Sequence, residues 1–159
     1  MVVSAPRTGS ASERVFLVLP AQREGLAIND DWDAFGQRQT DSGTVQFIGT
    51  ATVLIRYRGF TILTDPNFLH KGDHVHLGYG LTSQRQTNPA IEFDTLPPID
   101  LVILSHMHDD HFDKLVQERL DRKIPIVSTR EASEKLKRLG FQQRFALSEW
   151  DRLEVTKGN

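Results

Sequence analysis

Alternating apolar and polar positions predict three short strands in residues 44–64. Val45 and Phe47 alternate with polar neighbours, and the same alternation returns over residues 53–57. This spacing of two is typical of strands with one buried face. A third strand is predicted over residues 60–64, and tight turns separate all three. We therefore expect an antiparallel start to the main domain.

A different pattern begins at residue 101, where continuous apolar runs alternate with helical spacing. Residues 101–104 and 124–127 are typical of strands buried on both faces. The apolar positions of the two intervening and following helices are Phe112, Leu115, Val116 and Leu120, and then Ala132, Leu136 and Leu139. Residues 128–131 predict a capping box for the second helix, and Gly140 predicts its end. With two short strands after it, this order favours an α/β arrangement.

Two stretches lack a clear period. Residues 1–43 predict a partly irregular N-terminal arm, with one strand-like run at residues 15–19, and residues 44–159 form the predicted main domain. Residues 68–98 predict a long connection rich in Gly and Pro. Long loops inside compact domains commonly serve binding or catalysis.

Composition narrows the chemistry. The 159 residues carry a net charge of -2 and contain no cysteine. The charge argues against nucleic acid as a partner, and the absence of cysteine excludes disulfides and thiolate metal sites. No apolar run is long enough to span a bilayer or to serve as a signal-peptide core. We expect a cytoplasmic protein whose metal ligands, if it has any, are His and carboxylate.

The segment from His106 to His111 concentrates the candidate chemistry. It reads H-x-H-x-D-H and follows directly on the buried run at residues 101–104. In an extended segment His106 and His108 point the same way, whereas a helical turn would bring His108 and His111 together beside Asp110. The alternative is a solvated polar loop, which the cost of placing so many polar groups at a buried strand end disfavours.

This motif resembles that of the metallo-β-lactamase superfamily. The flanking segments are similar to the branch that contains ascorbate-6-phosphate lactonase and N-acylphosphatidylethanolamine phospholipase D. These segments are Gly49–Ile55, Leu63–Pro66, Pro97–Asp100 and Ser105–Asp113. The resemblance runs from Thr44 to the end of the chain. It implies an α+β fold, the N-terminal half of an αββα sandwich, with helices packed on a mixed sheet.

The resemblance also implies roles for five residues. His106 and His108 would bind a first metal ion, and Asp110 and His111 a second. Asp110 would in addition be catalytic, because it would orient the attacking water. Asp65 would accept a hydrogen bond from a ligand imidazole and so hold its tautomer. From the residues alone, Asp65 could equally be a turn residue before a proline.

The implied activity is hydrolysis of a small-molecule ester, lactone or phosphodiester by a metal-bound hydroxide. The implied cofactor is a pair of divalent ions, two zinc ions or else manganese or iron. The superfamily's downstream ligands have no counterpart after His111, so the chain resembles an N-terminal half ended early. Self-association or a partner chain would then complete the site. The alternative is a truncated, non-catalytic remnant that acts as a weak metal-binding or protein-interaction module. A nuclease, a third alternative, is disfavoured by the net charge.

The long connection contains the remaining candidates. His74 and His76 could form a further metal site, and Arg85 with Tyr79 could meet a substrate phosphate. A solvated loop is the simpler interpretation of all four. Asp113 is expected to stabilise the first turn of the helix that follows the motif.

Overall fold

A computed structural model describes residues 13–18, 43–78 and 80–157 of the chain. Its strands are β1 (Glu13–Val18), β2 (Thr44–Gly49), β3 (Thr52–Tyr57), β4 (Phe60–Thr64), β5 (His74–Gly78), β6 (Leu81–Gln84), β7 (Leu101–Leu104), β8 (Ile126–Ser128), β9 (Arg144–Ala146) and β10 (Arg152–Lys157). Its α-helices are α1 (Lys114–Arg119) and α2 (Arg130–Arg138), and a 3₁₀ turn spans Phe93–Thr95.

A mixed six-stranded sheet in the order β2-β3-β4-β7-β8-β9 is the centre of the fold. The first three strands pair antiparallel, with Leu54 opposite Leu63, as the sequence predicted. From β4 onward the strands are parallel, with Thr64 beside Ile103. The expected mixed α+β fold is confirmed. The parallel half follows from the strand–helix order, because each parallel return needs a crossover connection.

Both helices begin at a residue whose side chain accepts a hydrogen bond from a backbone N–H of the first turn. Asp113 caps α1 by accepting a hydrogen bond from the Val116 N–H at 2.8 Å. Thr129 caps α2, so the prediction that the box starts at Ser128 is wrong by one residue. Ser128 is the last residue of β8, buried within the sheet. At the other end Gly140, with φ of 86°, closes α2 as predicted.

The two faces of the sheet carry separate apolar clusters. The helix-covered face contains the larger one: Ile48, Leu54, Leu63, Phe68, Val102, Leu104, Phe112, Val116, Leu120, Ile124, Ile126, Ala132, Leu136 and Phe141. The opposite face contains Phe60, Ile62, Leu101 and Val127, against which Leu153 and Val155 of β10 pack. β10 itself pairs antiparallel with β1. The sheet is therefore buried on both sides at its centre, which agrees with the apolar runs at residues 101–104 and 124–127.

At the β2 edge the sheet is open. Val45 is 74 % exposed and Phe47 is 64 % exposed, so the prediction of a half-buried strand is wrong here. Among the described residues β2 has a neighbour on one side only, and Val45 and Phe47 are left uncovered, whereas Ile48 at the end of the strand is buried in the core. Exposed apolar groups of this kind are typical of interaction surfaces.

The long connection is not wholly irregular, because β5 and β6 form a hairpin within it. The sequence pattern does not predict this hairpin, because every residue of β6 is exposed and no alternation of apolar and polar residues marks the strand. Arg85 N–H donates to the Asp73 carbonyl at 2.9 Å, and Gly72 N–H donates to the Arg85 carbonyl at 2.9 Å. These bonds continue the pairing to the base of the hairpin.

The strand-like run predicted near residues 15–19 is observed as β1. The rest of the predicted arm in residues 1–42, and Tyr79, lie outside the described residues. None of the helices in the described ranges has the length and apolar character that a membrane crossing requires.

Candidate metal centre

Two neighbouring strand ends bring Asp65 and Ser105 into contact. β4 and β7 are parallel, so both run out at the same edge of the sheet, where α/β proteins place their sites. The Asp65 Oδ1 atom accepts from the Ser105 N–H at 2.7 Å and from the Ser105 hydroxyl at 2.9 Å. Asp65 has a φ of 36°, which is unusual for a residue with a side chain. This conformation accompanies the turn of its carboxylate towards the motif.

After Ser105 the chain folds into a turn that gathers the motif side chains. The His111 and Phe112 N–H groups both donate to the His108 carbonyl, at 2.9 and 2.8 Å. One ligand atom from each of His106, Asp110 and His111 then lies within 4.8 Å of the others, and all three residues are half-buried. Across the described ranges, this is the one group of three or more His or carboxylate side chains close enough to share a metal ion.

The Ser105 hydroxyl links the imidazoles to Asp65. Its oxygen lies 2.9 Å from His106 Nδ1 and 3.3 Å from His111 Nδ1. A serine hydroxyl donates one hydrogen bond and accepts two. When the Ser105 hydroxyl donates its hydrogen bond to Asp65, its oxygen can accept from the Nδ1–H groups of both His106 and His111. The Nε2 lone pairs of both imidazoles then remain available for a metal. His111 Nδ1 also lies 3.5 Å from Asp65 Oδ2, and His111 Nε2 lies 3.6 Å from Asp110 Oδ2.

The segment after Asp65 ties the motif to the body of the protein. Asn67, which is fully buried, donates its side-chain N–H to the Asp109 carbonyl at 2.7 Å. The Phe68 N–H donates to Asp113 Oδ2, on the carboxylate that also caps α1. These bonds hold Asp109 within the motif and Asp113 just after it against one loop, so the loop and the motif form one unit.

The electrostatic setting favours a neutral imidazole at His106. Burial lowers the pKa of His106, and repulsion from His111 and His108 lowers it further, against the opposing effect of Asp110 and Asp65. A neutral imidazole keeps the lone pair that a metal ligand needs. Burial also raises the pKa of Asp113, and hydrogen bonds from backbone N–H groups partly offset this rise.

The donor set fits a divalent cation. Asp110 Oδ1 is buried and has no hydrogen-bond partner, which costs stability unless something else satisfies it. Two imidazoles and a carboxylate suit zinc, manganese or iron. Three protein ligands are also the number that catalytic zinc sites commonly use.

His108 does not join the three-residue group. Its side chain is exposed, and its ring packs edge-on against His106 with 4.6 Å between the centroids. The rings of His106 and His111 lie closer, at 4.0 Å. The structure thus groups His106 with Asp110 and His111, whereas the resemblance paired it with His108. His74 in the hairpin is exposed and belongs to no metal-binding group among the described residues.

Sequence reasoning assigned no role to Ser105 or Asn67. Ser105 lies directly before the first histidine, at the end of a buried strand, and its position was the one available signal. Asn67 had no signal in the sequence, because its partner lies 42 residues away.

The mixed α+β fold gathers His and carboxylate side chains at the carboxyl end of a parallel strand, an arrangement that could hold a metal ion. Comparison with known families identifies the family of the chain. Residues 44–157 match the beta-lactamase superfamily domain, and the chain belongs to this family. This match and the relatives described below confirm the resemblance to the metallo-β-lactamase superfamily found in the sequence.

Individual relatives agree with the family assignment. UPF0173 protein YddR of Bacillus subtilis is 31% identical over 101 residues, which are 60% of this chain and 39% of that protein. N-acyl-phosphatidylethanolamine-hydrolyzing phospholipase D 1 of Caenorhabditis elegans is 27% identical over 51% of this chain and 22% of its own length. The matched part of this chain therefore spans less than half the length of either relative.

A solved structure supports the fold. The isothiocyanate hydrolase from Delia radicum gut bacteria superposes with a TM-score of 0.56 at 24% identity, over 67% of this chain and 42% of that one.

Proposed function

We propose that this chain carries a divalent-metal site of a hydrolase that cuts a small-molecule ester, lactone or phosphodiester. One observation carries the proposal: His106, Asp110 and His111 converge within 4.8 Å at a strand end, and an Asp110 oxygen is buried without a partner. Membership of a metallo-β-lactamase family supports it.

The residues of the centre would have three roles: metal binding, proton acceptance and orientation of the ligands. His106, Asp110 and His111 would hold one cation, and His108 would contribute to a second. A bound divalent cation polarises a carbonyl or phosphoryl oxygen and lowers the pKa of water. Asp110 would accept a proton from the attacking water and orient it. Asp65 would orient His106 and His111 through the Ser105 hydroxyl.

Metal content tests the site directly. We expect the chain, purified without chelator and supplied with zinc or manganese, to hold at least one ion per molecule by elemental mass spectrometry. His106→Ala should lower this to near zero, because only two of the three converging ligands would remain. His70→Ala is the matched control, since His70 pairs with Glu92 at 2.9 Å outside the group. Equal metal content in wild type and His106→Ala would contradict the proposal.

Turnover tests the reaction class. We expect metal-dependent cleavage of a model phosphodiester or lactone that Asp110→Ala abolishes. Metal uptake without any turnover would favour the alternative, a non-catalytic metal-binding module. Completion of the site by self-association or by a partner chain stays a prediction. A turnover rate per protein molecule that rises with protein concentration would support self-association.

A further inference from the structure

Arg85 is half-buried, and its contacts within the described residues leave part of its guanidinium without a hydrogen-bond partner. Its Nε–H donates to the Leu69 carbonyl at 3.2 Å, and its backbone is bonded in both directions at the base of the hairpin. Its Nη2 atom is buried and makes no hydrogen bond. A partly enclosed guanidinium without a counter-charge costs stability, so an anion that reaches its accessible side would stabilise it.

The other arginines near the core differ in this respect. Arg122 also has one buried unpartnered nitrogen, but its guanidinium lies 4.4 Å over the ring of Phe141 and donates to the Gln117 carbonyl. Arg119 pairs with Asp94. Within the described part of the chain, neither a carboxylate nor an aromatic ring pairs with Arg85. Asp73, its neighbour in the hairpin, accepts from the His70 N–H instead.

The backbone around Arg85 leaves room for its side chain. A Cβ atom at Gly49 would lie 2.9 Å from Arg85 Nη2, so the absence of a side chain at Gly49 lets the guanidinium lie there. The remaining nitrogen, Nη1, makes no hydrogen bond within the described residues and is not among the enclosed atoms. A ligand can therefore approach the guanidinium from the Nη1 side.

Arg85 contacts a segment of the chain that leads directly from the metal centre. Its Nε–H contacts Leu69, and Asp65 of the centre begins the same segment four residues earlier. The Cα atoms of Asp65 and Leu69 are therefore separated by at most about 14 Å, the length of four fully extended residues. A substrate of modest size can bridge that separation.

We propose that Arg85 binds an oxyanion group of the substrate, a phosphoryl or carboxylate group a few bonds from the bond that is cut. Nη1 is the accessible donor, and a cationic N–H donor forms a strong charge-assisted hydrogen bond with a phosphoryl or carboxylate oxygen. The role of the bound group as part of a substrate rests on the proposed function. The binding of the oxyanion does not, because it needs no metal.

The test measures anion binding to the metal-free full chain. Inorganic phosphate and acetate are titrated separately while backbone amide shifts are followed by NMR. We expect saturable shifts around residues 69–72 and 85 with at least one of the two anions. Arg85→Gln should weaken that binding at least tenfold, and Arg85→Lys should weaken it less, because lysine keeps the positive charge. Arg122→Gln, the matched control, should bind within twofold of wild type.

The outcomes separate this proposal from the previous one. His106→Ala should lose metal and keep phosphate or acetate binding, because Arg85 is intact. Phosphate binding tighter than acetate binding would identify a phosphoryl group, and the reverse order a carboxylate. An absence of saturable shifts with both anions, or equal affinity in wild type and Arg85→Gln, would overturn the proposal whatever the metal content shows.

Discussion

Replacing Asp113 with alanine should destabilise the protein far more than the loss of an ordinary helix cap. The Asp113 carboxylate accepts from the Val116 N–H in the first turn of α1 and from the Phe68 N–H of the loop that follows Asp65. Asp113 and Phe68 are both fully buried, so water cannot replace either bond. One substitution therefore removes a cap and a link between the motif and the loop.

The expected magnitude follows from these two bonds. Loss of an N-cap costs about 1 kcal/mol. A buried N–H left without an acceptor, here that of Phe68, costs about 1–3 kcal/mol. Removing a buried carboxylate also removes its desolvation cost, which is the reason that the pKa of Asp113 is raised. We therefore expect the free energy of unfolding to fall by about 2–3 kcal/mol for Asp113→Ala.

Urea unfolding followed by circular dichroism measures this change, and Thr129→Ala is the matched control. Thr129 caps α2 by accepting from the Ala132 N–H at 3.3 Å, and its side chain lies at the surface. Its loss should cost about 1 kcal/mol or less. If Asp113→Ala costs no more than Thr129→Ala, the bond to Phe68 contributes nothing, and the reasoning about the loop is refuted.

Three further results are expected. Ser105→Ala should weaken metal binding about 10–100-fold by competition with a chelator, whereas Ser105→Thr, which keeps the hydroxyl, should bind nearly as wild type. Because the pKa of Asp113 is raised in the folded state, the stability of wild type relative to Asp113→Asn should be largest below about pH 4 and fall as the pH rises through the folded pKa. If the difference in free energy of unfolding between the two proteins, measured with urea, increases with pH, the result would contradict this expectation. Phe47→Glu should reduce self-association in sedimentation, since Phe47 and Val45 are exposed on the edge strand, and unchanged sedimentation would show that this edge does not mediate it.

Local pattern determined most of the elements. Alternation over residues 44–64 predicted the antiparallel strands, and the apolar run at residues 101–104 predicted the central strand β7. The H-x-H-x-D-H motif placed the candidate ligands at the end of that strand. These features follow from sequence because burial of one or both faces leaves its period in neighbouring residues.

Strand order decided what the local pattern left open. Asp65 meets Ser105 because β4 and β7 are parallel neighbours, although the two residues are 40 positions apart. The Asp113 link to Phe68 spans 45 positions and has no local signal. The hairpin of β5 and β6 was missed because every residue of β6 is exposed, so no apolar alternation marks that strand in the sequence.

The metal ligands show the same division. The sequence by itself determined that three imidazoles and two carboxylates lie within six residues. Only the tertiary structure decided that His106 meets Asp110 and His111 while His108 stays exposed. The physical reason is the turn after β7, whose bonds to the His108 carbonyl reverse the chain, and the Ser105 hydroxyl, which contacts the rings of His106 and His111. Asp65 on the neighbouring strand and Asn67 hold this turn in place through partners 40 and 42 positions away, and residue spacing does not specify such contacts.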